Sequence, residues 1–444
     1  MRETTREAVE FGCAGRMAAL VLFTILAASS CAPSDSPLVQ QARKSLDDAW
    51  NGGPSLQVLT LSLIGDYPGL AEGRQRIEQS LASPSFQLKV EAAHALERWS
   101  DPDAAPLLLP LLEDANPLVQ RVAARALAKM GRSEGRSILE SAVRDAEEVL
   151  DVEICSALAK IGSEACVPEA ERDVTKKNPA LASAAAIVLG EHGGERAQRA
   201  LRAALQAQRA ERRAPVIEAL GEAGEPSVDV AAIQRYARYK ENVLAVVRAL
   251  GDLGGERAVT ELREFAGTDD PLVRAEACLA LVDLGVLDDG VQSGLEQALA
   301  DERTELRFLL AKRLSAAPDA VDVTPLLSRL VADEDAQVCQ QAMTGLAARA
   351  DQSLLPVVSE VWTKHKADDD GPGYYAALQA LVAARKLRGE AADKLLDEAL
   401  KSQNWGHNVQ AALSVLSRRA ESSAEAGKQA GLAGGSDAPS ERRA

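Results

Sequence analysis

Residues 126–131 read ALAKMG, and residues 157–162 read ALAKIG, thirty-one positions further along the chain. The Leu of this hexapeptide recurs seven times at steps of 31, with a single step of 30. The seven positions are Leu96, Leu127, Leu158, Leu189, Leu220, Leu250 and Leu281. A fixed period of this kind indicates one structural unit repeated along the chain, in which each copy meets its neighbour through the same contact.

Each copy contains two helical patterns. A Gly follows the repeated Leu by four residues in six copies, and Ser100 takes its place in the first. Gly ends helices because it accepts the left-handed conformation, so the Leu lies in the last turns of a helix. Small or branched residues three and four positions before the Leu share its face of that helix. A second apolar period precedes it, as in AVTELREFA at 258–266.

Two stretches carry a family resemblance: DANPLVQRVAARALAKMG at 114–131 and DDPLVRAEACLALVDLG at 269–285. They resemble the HEAT repeat family, in particular the short repeats named after phycobilisome lyases. The resemblance implies an all-α protein, a right-handed α-solenoid of about eleven helix–turn–helix repeats over residues 55–418. We expect the stacked pairs to form an open, curved rod of roughly 100 Å, since packed helix layers are about 8–10 Å apart.

The N-terminus has the pattern of an export signal. Arginines precede the apolar run MAALVLFTILAA at 17–28, which is too short to span a bilayer. The stretch ending at Cys31 resembles a bacterial lipoprotein signal, which implies a lipid on Cys31. Ordinary cleavage and an uncleaved anchor remain alternatives, as do starts at Met1 and Met17.

This pattern predicts a signal peptide at 1–30, a tether at 31–54 and a disordered tail at 419–444. The resemblance places the protein in the bacterial cell envelope, membrane-anchored and facing the periplasm, and Ala32 favours the outer membrane.

Composition narrows the function. The 444-residue chain has 50 basic and 66 acidic side chains, a net charge of −16, which argues against nucleic acid as a partner. Cys155 and Cys166 either form a disulfide or fill a helix interface, and the pattern favours the interface. The sequence contains no catalytic motif, and no Cys/His spacing typical of a metal site. We therefore expect no enzyme activity, cofactor or metal.

Charged residues two positions after each repeated Leu predict a binding surface. In HEAT proteins the second helices usually line the concave face, where these side chains would lie together. The column runs Arg98, Lys129, Lys160, Glu191, Glu222, Asp252 and Asp283. Arg125 extends its basic end. This bipolar surface predicts a scaffold that binds a protein or peptide, although solvated repeat charges could also sort in this way.

A second candidate surface is a group of aromatic residues near the C-terminal end. Its members are Trp362, Tyr374, Tyr375 and Trp405. Interfaces favour Trp and Tyr, but terminal repeats also become atypical because they cap the stack. Capping is favoured here. The alternative is a small-molecule or chromophore-handling protein that uses this cluster, with a lyase-like enzyme as one form of it.

Overall fold

A computed structural model describes residues 35–145, 150–209, 212–350 and 352–434. These ranges contain 23 α-helices, a few short 3-10 segments and no strand. The predicted signal peptide and Cys31 lie outside the described residues. The all-α prediction is confirmed.

The helices are short and follow one another with brief turns. The first twelve are α1 Pro37–Asn51, α2 Pro54–Ile64, α3 Ala71–Leu81, α4 Phe86–Trp99, α5 Pro117–Lys129, α6 Arg136–Asp145, α7 Val152–Lys160, α8 Val167–Asp173, α9 Pro179–His192, α10 Gly194–Ala207, α11 Ala214–Ala223 and α12 Pro226–Gln234. The remaining eleven are α13 Val243–Leu253, α14 Gly255–Ala266, α15 Pro271–Asp283, α16 Asp289–Leu299, α17 Thr304–Ser315, α18 Thr324–Val331, α19 Ala336–Arg349, α20 Leu355–His365, α21 Gly371–Ala384, α22 Glu390–Leu400 and α23 Trp405–Gly434.

Local chemistry sets the helix ends. Asp270 precedes Pro271 and its carboxylate accepts hydrogen bonds from the backbone N–H groups of Leu272 and Val273, which caps α15. At the C-terminal end of α4, Ser100 adopts the left-handed conformation with φ of 50°. Ser100 thus occupies the conformation that Gly131 adopts in the next copy. The predicted stop signal is confirmed in both forms.

The hairpins stack in two layers. Each second helix packs along the next second helix, whereas first helices touch one another less. The layer with the closer neighbours has the smaller circumference, so the second helices form the inner wall. Their approach is close: a Cβ added at Gly221 on α11 would lie 2.5 Å from the Cα of Ala249 on α13.

One unit departs from the helical pattern. Residues 104–114 show an apolar period, but the structure has two 3-10 segments there, Pro102–Leu107 and Leu109–Glu113. Pro106 and Pro110 lack the N–H donors that a continuous α-helix needs at this place. The second segment still packs against α5, and the two segments together form the first half of the third unit.

The solenoid closes on itself. Helix α1 packs against α22 and α23, and α2 packs against α23, so the first hairpin stacks on the last. The buried hydroxyl of Tyr67 lies 2.6 Å from Ser414 Oγ and accepts a hydrogen bond from Gln410 Nε2 at 2.9 Å. Asp35 and Arg419 form an ion pair across the same seam.

Ring closure corrects three expectations. The open rod of about eleven repeats is a closed ring of twelve hairpins in the described residues. The stretch 37–51, expected to be tether, is helix α1, because Val39, Ala42, Leu46 and Ala49 give it a buried apolar face. The stretch 419–434, expected to be disordered, continues helix α23.

The cysteine expectation is also corrected. Cys155 on α7 and Cys166 before α8 form a disulfide, with their Cα atoms 5.8 Å apart. The bond joins the fourth hairpin to the fifth. Cys278 and Cys339 are buried free thiols.

Candidate functional site

The inner wall carries the predicted column of charges. Twelve second helices about 8–10 Å apart would enclose a lumen of roughly 20–28 Å, after about 5 Å is subtracted for the radius of each facing helix. Six residues that stand two positions before or after a repeated Leu line one depression of this wall between α9 and α15: Ile187, Glu218, Glu222, Arg248, Asp252 and Asp283. An extended peptide or a single helix fits a lumen of this width.

The basic arc consists of Arg98, Arg125, Lys129 and Lys160 on α4, α5 and α7. Glu97 occupies its centre: the carboxylate pairs with Lys129, and accepts a hydrogen bond from Arg125 Nη2 at 3.3 Å. Arg125 also pairs with Glu153. Two of the four predicted cations are therefore neutralised within the wall.

The pKa of Glu97 reflects this network. Burial raises the pKa, but hydrogen bonds from His94 and Lys129 and the charges of Arg125 and Lys129 outweigh it. The result is a pKa of about 2, well below the ordinary 4.5. Glu97 therefore stays ionised and holds the two cations in place.

Arg98 is also used within the fold. Its Nη2 donates a hydrogen bond to the carbonyl oxygen of Ser62 at 2.6 Å, near the C-terminal end of α2. A cation placed there satisfies a carbonyl left without a helical partner. Lys160 is exposed and has no ion-pair partner in the described ranges.

The acidic arc consists of Glu191, Glu218, Glu222, Asp252 and Asp283. Four of these carboxylates line one depression of about 490 Å³ that crosses five second helices, α9, α11, α13, α15 and α17. Ile187 lies in the same depression and is 42% exposed. The wall here combines apolar surface with a high density of negative charge.

Beneath the surface carboxylates of the acidic arc, two arginines pair with Glu276, which is fully buried. Arg248 Nε lies 2.9 Å from Glu276 Oε1, and Arg313 Nη1 lies 3.2 Å from Glu276 Oε2. Arg248 also pairs with Glu218 at 3.1 Å, and Arg313 pairs with Asp283. Each arginine thus joins one buried carboxylate to one at the surface.

Three carboxylates of the acidic arc have no ion-pair partner among the described residues: Glu191, Glu222 and Asp252. Burial and the charges of Glu191 and Asp252 raise the pKa of Glu222. Burial also raises the pKa of Asp252, with the charges of Asp283 and Glu218, although Arg313 opposes it. A cation bound here would relieve this repulsion.

The charged column predicted from the repeat contains surface residues of both arcs, but it does not contain Glu97, Glu276 or Arg313. Glu97 stands one residue after the repeated Leu96 and Glu276 stands five residues before the repeated Leu281, whereas Arg313 lies on α17, beyond the seven regular copies. No fixed offset unites them, so a periodic search does not find them.

The predicted aromatic cluster is divided between the interior and the surface: Trp362 is buried, Tyr374 is half-buried, and Tyr375 and Trp405 are exposed. Trp362 is 3% exposed and lies edge-on to His407, with 5.2 Å between ring centres, and Tyr374 lies 5.1 Å from the same imidazole. Trp362 therefore packs within the fold and is not a contact surface. It does not cap an open stack either, because the ring closes through the neighbouring α23. Tyr375 and Trp405 are the exposed members, at 51% and 39%.

Two further kinds of feature, a metal site and a membrane span, are absent from the described residues. They contain no group of three or more His, Cys, Asp or Glu side chains arranged to hold a metal ion. None of the described helices has an apolar run long enough to cross a bilayer.

A family model described as HEAT repeats matches residues 75–150, 137–221 and 230–315. These matches cover more than half of the chain. The chain belongs to the HEAT repeat family. The comparison with curated proteins finds no match.

Several solved structures resemble this HEAT-repeat chain. The CpcE–CpcF complex of phycocyanin lyase from Nostoc sp. PCC7120 is 19% identical over 57% of this chain and 92% of that one, with a TM-score of 0.31. Human deoxyhypusine hydroxylase in complex with glycerol is 22% identical over 55% and 96%, with a TM-score of 0.25. She4p is 13% identical over 90% and 76%, with a TM-score of 0.27.

Proposed function

We propose that this HEAT-repeat protein is a lipid-anchored scaffold of the bacterial cell envelope that holds a protein or peptide in its lumen. The partner lies against the acidic arc and presents basic side chains to Glu191, Glu222 and Asp252. The observation that carries this proposal is a set of three carboxylates that form no ion pair among the described residues and lie beside the exposed Ile187.

Charge and shape together favour a basic, extended segment. The basic arc with its ion-pair partners has four cations and two carboxylates, a net charge of +2. The acidic arc with Glu276, Arg248 and Arg313 has six carboxylates and two cations, a net charge of −4. A cationic segment with one apolar side chain matches the acidic arc and Ile187, and complementary charge steers its approach.

The envelope location rests on two supports. One is the lipoprotein-like stretch that ends at Cys31. The other is the Cys155–Cys166 disulfide, since such bonds persist in oxidising compartments such as the periplasm. A lipid on Cys31 would tether the ring near the seam, where Asp35 begins the described chain.

The test is crosslinked affinity capture from envelope extracts with three forms of the protein. One is the natural chain, and one carries Glu191→Gln, Glu222→Gln and Asp252→Asn. The matched control carries Glu195→Gln, Asp319→Asn and Glu360→Gln, three exposed carboxylates outside the inner wall. A partner that the natural chain and the control retain, and the inner-wall variant loses, supports the proposal. Identical capture by all three forms excludes it.

A further inference from the structure

The strongest feature that the proposed function leaves unused is a basic rim patch on one edge of the ring. It comprises Arg212 and Arg213, which directly precede α11, and the cations and tyrosines of the loop at 235–242 between α12 and α13. Its members are Arg212, Arg213, Arg235, Tyr236, Arg238, Tyr239 and Lys240. Both segments lead into a second helix, so they lie at the same edge in neighbouring units.

Arginines and tyrosines stack alternately in this patch. The guanidinium carbon of Arg213 lies 5.0 Å from the ring centre of Tyr236 and 5.7 Å from that of Tyr239. Arg235 stacks on Tyr236 at 5.1 Å, and Arg238 stacks on Tyr239 at 4.9 Å. Tyr236 is buried, so it is a fixed platform for the two arginines beside it.

The patch cations have no carboxylate partner in the described part of the chain. This is unusual for the molecule, where arginines such as Arg196 and Arg248 each pair with two carboxylates. One edge N–H of each stacked arginine is used within the protein: Arg213 Nε donates to the carbonyl oxygen of Leu205, Arg235 Nη2 to the Tyr236 hydroxyl and Arg238 Nη2 to the Tyr239 hydroxyl. A guanidinium group has five N–H donors and stacking uses only its face, so the other N–H groups stay available to an in-plane acceptor. The patch therefore presents several oriented donors to solvent.

A groove of about 530 Å³ adjoins the patch and limits the class of anion. It is lined by Arg235 and Arg238 on one side, and by Glu261, Glu264 and Phe265 on α14. Glu241 lies in the loop at 235–242. A polyphosphate or an anionic lipid surface carries closely spaced negative charge, part of which would lie against these carboxylates. A peptide with spaced carboxylates and one apolar side chain fits both walls.

We propose that the basic rim patch binds an acidic peptide segment, with carboxylates on the edges of Arg235 and Arg238 and an apolar side chain beside Phe265. Carboxylate and guanidinium form paired, charge-assisted hydrogen bonds, and the tyrosines hold the donors in position. This surface is separate from the acidic arc, so either proposal can fail without the other.

The test is fluorescence anisotropy with a labelled peptide of repeating Asp-Glu-Leu and the full chain. The peptide's amide counterpart, Asn-Gln-Leu, is the neutral probe. A single-stranded oligonucleotide and vesicles containing anionic phospholipid are the competing anions. We expect the acidic peptide to bind, the neutral peptide not to bind, and added salt to weaken binding because the charges are exposed.

The deciding variant is Arg235→Gln with Arg238→Gln, which we expect to weaken peptide binding about tenfold or more through the loss of charge-assisted bonds. The matched control, Arg196→Gln with Arg303→Gln, removes two exposed arginines that are already ion-paired and should bind as the natural chain does. A third variant, Tyr239→Leu, keeps every charge and tests whether the Tyr239 ring holds Arg213 and Arg238 in position. Circular dichroism checks that each variant is folded.

Three results would overturn the proposal. The first is equal peptide binding by the natural chain and the Arg235/Arg238 variant. The second is equal binding of the acidic and neutral peptides. The third is stronger binding of the oligonucleotide or the vesicles than of the acidic peptide, with the same dependence on Arg235 and Arg238, which would assign the patch to phosphate.

Discussion

The basic and acidic arcs of the inner wall are built on the same plan and end with different surfaces. Each has one shielded carboxylate that holds two cations: Glu97 with Arg125 and Lys129, and Glu276 with Arg248 and Arg313. In the basic arc this pairing neutralises two of the four cations, Arg125 and Lys129, and Arg98 is bonded within the fold, which leaves only Lys160 without a partner among the described residues. In the acidic arc the same pairing leaves Glu191, Glu222 and Asp252 without an ion-pair partner among the described residues. The comparison teaches that repeat columns predict the sign of each side chain, whereas pairing between units decides which charges remain available.

The largest expected difference between the two arcs concerns the carboxylate of Glu97. Glu97→Gln leaves Arg125 and Lys129 without their shared partner, and we expect a loss of about 3 kcal/mol in the free energy of unfolding at neutral pH. Glu222→Gln is the control in the acidic arc, and it should be neutral or slightly stabilising because it relieves repulsion by Glu191 and Asp252. Urea denaturation followed by circular dichroism measures both. Equal losses would mean that the arcs do not differ as described.

The pH dependence of stability should have opposite signs in the two arcs. The pKa of Glu97 is about 2 in the folded protein and ordinarily 4.5. Its contribution is therefore present above about pH 4.5 and lost as the pH falls towards 2. The pKa values of Glu222 and Asp252 are raised, so the folded state binds their protons more tightly and loses stability as the pH rises through those values.

Denaturation of the natural chain, Glu97→Gln and Glu222→Gln across the acid range separates these effects. The difference between the natural chain and Glu97→Gln should shrink as the pH falls below 4.5. The difference for Glu222→Gln should disappear at low pH, where the natural carboxyl is protonated too. A Glu97→Gln difference that persists unchanged to the lowest pH would contradict the ionised network.

The disulfide lies where the two arcs meet, since Lys160 of the basic arc stands between its two cysteines and Glu191 of the acidic arc follows them. Replacing Cys155 and Cys166 together by Ala should cost about 2–3 kcal/mol, the usual effect of opening a short covalent loop. Thermal unfolding with and without a reductant provides the control. The reductant should lower the stability of the natural chain and leave that of the double variant unchanged.

The smallest expected effect concerns the seam that joins both arcs into one wall. Tyr67→Phe removes a buried hydroxyl that bonds to Ser414 and Gln410, and should cost about 1–2 kcal/mol. Tyr239→Phe is the matched control, since its hydroxyl contacts only Arg238 near the surface and should cost less. Equal effects would mean that the seam bonds contribute little.

Much of the repeat architecture could be read from the sequence, because the same contact recurs in each copy. The repeated Leu residues, from Leu96 to Leu281, are all buried, and their helices end at the predicted stop signals. The spacing of Val39, Ala42, Leu46 and Ala49 is also typical of a helix, so the prediction of a tether in this stretch was wrong.

The ring closure carried no such signal. Tyr67 and Gln410 are 343 residues apart in the least regular units, and only the accumulated curvature of twelve hairpins brings them together. The candidate site shows the same contrast between features that recur in every copy and features that do not. The lumen column was visible in the repeat, but Glu97 and Glu276 were not, because their partners stand in neighbouring copies at different offsets.

Closure of the ring is the claim on which the lumen and both arcs depend, and a distance measurement across the seam tests it most directly. Spin labels on Gln40→Cys in α1 and Ser422→Cys in α23 report that distance by double electron–electron resonance, with Cys13 and Cys31 replaced by Ser. Labels on Glu264→Cys and Ser293→Cys, in neighbouring outer helices α14 and α16, give a short reference distance in a ring and in a rod alike. For a closed ring we expect a narrow distribution below about 30 Å at the seam, since the two helices pack about 8–10 Å apart. A reference signal of that length with a seam distance near the roughly 100 Å of an open stack would contradict the ring.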